Sequence, residues 1–171
     1  MLSSEAITML ARHLYLARRY KEAVEQAERV LYLDSNKSEA YVVFGLVAVA
    51  QGKHAEAITQ FRKMIDASGG RENPNMQAAL GHAYAVSGNR VEAERILRWL
   101  DKRAQTKPTT STLAARIYLG LGDYNRALEL LEAAYDERDY WLSFLAHDPR
   151  TDPIRSNAHF ANLLRKMNLA K

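Results

Sequence analysis

Cysteine is absent from the chain, which removes disulfides, thiolate metal sites, iron–sulfur clusters and cysteine nucleophiles together. Glycine and proline are scarce, at 8 and 4 of 171 residues, fewer than the many turns of an all-β fold require. Long apolar runs are missing too. The most apolar stretch, residues 40–50, reads AYVVFGLVAVA and falls well short of the roughly 20 residues that a membrane-spanning helix needs. A helix buried on most of its circumference is expected there. The opening residues, Met1-Leu2-Ser3-Ser4-Glu5, have no basic head and lead into amphipathic sequence, so no secretory signal is expected. Nor does one charge dominate: 24 Lys and Arg against 20 Asp and Glu leave +4. Spread over many faces, that charge predicts only weak, non-specific affinity for nucleic acid.

What is present is ordinary globular composition, 47% hydrophobic and 26% charged. A chain of this length can bury roughly 70% of its unfolded surface without a staple or a metal. A period runs through it. The segments ending in Ala23, Ala57, Ala93 and Ala127 (YKEA, HAEA, RVEA and YNRA) are spaced 34, 36 and 34 residues apart. Gly52, Gly88 and Gly122 each stand two residues ahead of such a segment, and Arg18 holds the corresponding place in the first copy. Earlier in each copy come the pairs Leu10-Ala11, Phe44-Gly45, Leu80-Gly81 and Ala114-Ala115, followed by Leu14, Ala48, Tyr84 and Tyr118. Small residues recur where two helices of a hairpin must approach closely. Glycine recurs between helices because the turn needs a residue that tolerates positive φ.

This pattern resembles the tetratricopeptide repeat, with its large-small pair in helix A, an aromatic, a turn glycine and an alanine in helix B. Four copies span about residues 4–135. Ser35 stands where the first copy would carry a closing proline, and the link Ser68–Pro74 accounts for the longer second interval. The resemblance implies an all-α, right-handed superhelical solenoid of antiparallel helix pairs with a concave groove. It is read as a single domain over residues 1–171, with repeats at 4–36, 37–72, 73–106 and 107–136. Helices are expected near 4–17, 20–33, 38–51, 54–67, 74–87, 90–103, 110–121 and 124–136, with Asn73 as a cap and Pro74 at a first helical position.

The closing segment, 137–171, predicts a helix near 137–147, two Asp-Pro turns, and an amphipathic helix near 157–168 capped by Ser156. Phe160, Leu163, Leu164 and Met167 form an apolar stripe on that last helix, suited to capping the array. The tail also resembles the ending of bacterial repeat arrays attached to winged-helix regulators, kinases or cyclases. That resemblance implies a cytoplasmic interaction module of a larger regulator, periplasmic where the regulator is membrane-anchored, or a stand-alone relative. A ligand-sensing effector domain of such a regulator is the alternative.

Motifs that carry chemistry are lacking. Neither a nucleophile elbow, a phosphate-binding glycine loop nor a zinc-binding HExxH occurs, so no catalytic residue, metal or cofactor is expected. His147, Asp148, Asp152 and His159 are the closest approach to a metal set, and Asp-Pro turn formation accounts for both aspartates. The resemblance places helix A along the concave face, so a protein or peptide partner is expected there. The residues assigned to that groove are Met9, Arg12, Val42, Val43, Leu46, Val49, His82 and Arg116. The expected partner has an apolar anchor and acidic flanks, with His82 adding affinity as pH falls from about 7 to 6. The chain's own tail or a second copy are other occupants. A carboxylate clamp of the chaperone-tail type is disfavoured, because its matching positions are Thr8, Arg12, Val43, Asn75 and Ala79.

Overall fold

The computed structural model describes residues 3–35, 37–70, 73–106 and 111–169. Among these residues there is no β-strand, and the fold is all-α. Eight α-helices follow the repeat period: α1 (Ser4–Leu16), α2 (Tyr20–Leu33), α3 (Ser38–Ala50), α4 (His54–Ala67), α5 (Pro74–Val86), α6 (Arg90–Ala104), α7 (Ser111–Leu121) and α8 (Tyr124–Asp136). No helix among the described residues is long and apolar enough to cross a membrane. The chain divides into two compact units, Met1–Met76 and Gln77–Lys171.

In the first unit α1 packs on α2, α3 packs on α4, and α3 also meets α1 and α2. The reason lies in residue size. Ala23 and Ala57 are wholly buried on the second helix of each pair, and a methyl group there lets the partner helix come close. In the second pair Gly45 faces the Phe61 ring so closely that a Cβ would stand 2.5 Å from it. Large side chains then fill the remaining space: Ile7, Tyr15, Phe61 and Met64 are completely enclosed, each worth roughly 1.5–3 kcal/mol of desolvation.

The second unit repeats the scheme. Ala93 and Ala127 are again fully buried, α7 packs on α8, and α6 meets α7. A Cβ on Gly81 would stand 2.6 Å from Ile117 and 3.2 Å from Ile96, so the absent side chain admits both. Asn73 caps α5 as expected, its Oδ1 accepting from the backbone N–H of Asn75 and Met76. Asn89 and Asp123 cap α6 and α8.

Turn chemistry follows the glycines with one exception. Gly52, Gly88 and Gly122 have φ of 73°, 82° and 77°, and Arg18 adopts φ 61° at the matching place. An L-residue carries a steric penalty there that glycine lacks.

The tail departs from expectation in its first part. Instead of one α-helix near 137–147, two 3₁₀ helices form, Tyr140–Phe144 and Pro149–Ile154. Asp139 and Asp148 cap them by accepting from the N–H of Trp141 and Arg150. Prolines 149 and 153 have no N–H to donate, so the chain here turns in short pieces. The closing helix, α9, runs Ala158–Lys166, and its cap is Asn157 rather than Ser156. Phe160 and Leu163 are fully buried with Leu128, Leu131, Trp141 and Ile154, and Leu164 and Met167 pack at the margin.

Candidate binding surfaces

The first unit holds six of the eight residues assigned to a groove. Met9 lies on α1 with 58% of its surface exposed, and Arg12, one turn on, is exposed as well. Val42 and Val49 on α3 are half-buried. Val43 and Leu46 are buried, at 1% and 6% exposure, so they serve the helix packing rather than an open floor. These residues lie on two helices, α1 and α3, that pack against each other.

The second unit places His82 and Arg116 inside. His82 is 4% exposed, and its Nδ1–H donates to the Arg116 carbonyl at 2.6 Å. Burial, followed by the Arg150 guanidinium, pushes its pKa down to about 4. The imidazole therefore stays neutral across pH 7 to 6, and the expected gain in affinity over that range has no charge change behind it. Arg116 is also buried, its guanidinium 4.4 Å from the centre of the Trp141 ring. Arg150 lies 5.2 Å from the same ring. These cations are stacked on indole within the protein, where desolvation strengthens the contact.

Asp148 anchors the cluster. Its carboxylate accepts from Nε and Nη2 of Arg150, the latter at 2.6 Å, and also from the Arg150 backbone N–H. Burial alone would raise this carboxyl, but the Arg150 charge and hydrogen bonds hold it below its ordinary value. Thr151 donates to the carbonyls of Leu145 and Asp148. The Thr112 hydroxyl donates to the Asp139 carboxylate. Of the other members of the His-Asp set, Asp152 pairs with Arg155 and His159 with Glu132. The reading of Asp148 as a turn former was therefore half of its role. Its neighbour Arg150 was the available signal, an arginine two residues past a capping aspartate.

A second concavity lies on another face of the first unit. It is an open cleft of about 750 Å³ between α2 and α4, floored by α3. Nothing in the A-helix register pointed to it. Tyr41 and Phe44 stand edge to face on its floor, with ring centres 6.3 Å apart.

Family models of the tetratricopeptide repeat match the chain at residues 8–72, 48–117 and 110–138. No curated protein matches it.

Proposed function

The chain belongs to the tetratricopeptide repeat family, and from that premise we propose that it is a non-enzymatic module that binds a peptide of a partner protein across α1 and α3. Repeats of this family are generally protein-binding modules and typically non-catalytic scaffolds. The observation that carries the reading is the exposure of Met9 and Arg12 on α1, and the partial exposure of Val42 and Val49 on α3, two helices that pack together. An apolar anchor resting there gains affinity by desolvation, while the Arg12 charge steers acidic flanks and rejects basic ones. His82 and Arg116 are left to the interior of the second unit. The tail's likeness to the endings of bacterial arrays supports a place in a larger regulator.

The test is selection of a randomised dodecapeptide library on the immobilised chain, followed by affinity measurements. Enriched peptides should carry an apolar residue with acidic neighbours. Val42→Asp should weaken them at least tenfold, because it sets an unpaired carboxylate against the anchor. Arg12→Ala should weaken them more at low salt than at high salt, since exposed charges are screened. Enriched peptides indifferent to both substitutions would overturn the proposal.

A further inference from the structure

The register that carries Tyr84 in the third repeat and Tyr118 in the fourth carries Ala48 in the second. In the second unit, Tyr118 lines a crevice of about 250 Å³ between α6 and the start of α8, over α7. In the first unit the matching space, between α2 and α4 over α3, has Ala48 on its floor and measures about 750 Å³. With a methyl group where the fourth repeat has a phenol, the floor over Ala48 is open and is bordered by Phe44, Val47 and Leu31. The walls are charged with opposite bias. On α2, Glu25 and Glu28 outnumber Lys21; on the α4 side, Lys53 and Lys63 outnumber Glu56.

We propose that this cleft is a docking notch for an aromatic side chain of a partner peptide. The ring enters over Ala48, at the position that Tyr118 holds in the crevice of the fourth repeat. Beside it the peptide presents a basic residue to Glu25 and Glu28 and an acidic residue to Lys53 and Lys63. The aromatic supplies the affinity, as buried aromatic anchors do at protein interfaces. The charges of the walls fix its direction, since the reversed peptide would set like charges against each other. This surface is separate from the one on α1 and α3 and does not depend on it.

The substitution that tests the notch is Ala48→Tyr, which places the residue type of the later repeats there and fills the floor of the notch. A dodecapeptide library is selected on the immobilised chain in the presence of excess soluble Ala48→Tyr protein, which keeps the α1–α3 surface and lacks the notch, so that notch-directed binders persist. The peptides recovered should contain Phe, Tyr or Trp with a basic residue on one side and an acidic residue on the other. They should bind the unsubstituted chain and the Val42→Asp variant equally, and lose at least tenfold on Ala48→Tyr. Should Ala48→Tyr fail to fold, Lys53→Glu,Lys63→Glu alters exposed residues only and should cause a similar loss. N-acetyl-tryptophanamide, titrated at millimolar concentration, should shift the backbone amide resonances of Phe44, Ala48 and Gln60. Recovery of no peptide, of peptides without an aromatic residue, or of peptides that bind Ala48→Tyr undiminished would overturn the proposal. Amide shifts confined to residues outside the cleft would overturn it too.

Discussion

The ring of Phe61 occupies the space in which a side chain on Gly45 would begin. A Cβ there would meet three ring carbons at 2.5, 2.6 and 2.8 Å. Phe61 is itself enclosed and has little room to retreat. Gly45→Leu should therefore overpack the pair α3–α4 and lower stability by roughly 1–3 kcal/mol. Urea titration followed by circular dichroism reads this directly. An unchanged midpoint would show that the close approach of the two helices is not needed.

Arg138 offers the opposite substitution. It sits just past α8 with φ 56°, its N–H donating to the Tyr135 carbonyl and that of Asp139 to Ala134. Arg138→Gly should raise stability by up to roughly 1.5 kcal/mol, the left-handed penalty of about 1–2 less glycine's added chain entropy of about 0.5–1. Gly122→Arg, at φ 77°, should lower stability by a similar amount. The pair of melting curves checks both signs.

His82 imposes a pH dependence. Its pKa is about 4 in the folded chain against an ordinary 6.5, so the unfolded chain binds the proton more tightly. Stability is then full above about pH 6.5, falls as pH drops from there toward 4, and loses on the order of 3 kcal/mol from this group over that window. Burial of the imidazole and the Arg150 and Arg116 charges oppose protonation, while the hydrogen bond to the Arg116 carbonyl and the Asp148 carboxylate favour it. His82→Gln cannot titrate. Its stability should decline less steeply between pH 6.5 and 4, as measured by urea midpoints at half-unit intervals; equal slopes would remove His82 from the account.

Asp148 holds the tail in place. It is 1% exposed and pairs with the buried Arg150, so Asp148→Ala leaves that guanidinium without its carboxylate. The expected loss is about 3–5 kcal/mol. Hydrogen exchange should then quicken first at the amides of Leu145 and Thr151, which belong to the two 3₁₀ turns and the residues between them. Deleting residues 157–171 should expose the apolar surface under Phe160 and Leu163 and promote aggregation.

The helix register was legible because size recurs where helices touch: Ala23, Ala57, Ala93 and Ala127 are all fully buried, and spacings of 34, 36 and 34 residues locate them. Capping at Asn73 was legible for a similar reason, since a side-chain acceptor before Pro74 has few other uses. The 3₁₀ turns were not. The apolar spacing of Trp141, Leu142 and Leu145 suits either kind of helix, and the choice was decided by the capping aspartates and the prolines that follow. Burial of His82 and Arg116 was hidden because a repeat register says which positions are equivalent, not what covers them. Trp141 and Arg150 arrive from the tail, outside the period. Ala48 stands at the position held by Leu14, Tyr84 and Tyr118 in the other copies, but the cleft above it depends on the side chains of α2 and α4.

The central claim is that α1 and α3 carry a peptide-binding surface, and backbone amide shifts read it most directly. Uniformly ¹⁵N-labelled chain is titrated with the tightest acidic-flanked dodecapeptide selected on it. The account predicts that Met9, Arg12, Val42 and Val49 shift most and that Val42→Asp abolishes the shifts. Shifts that leave those four residues unmoved, with Val42→Asp binding the peptide as before, would contradict it.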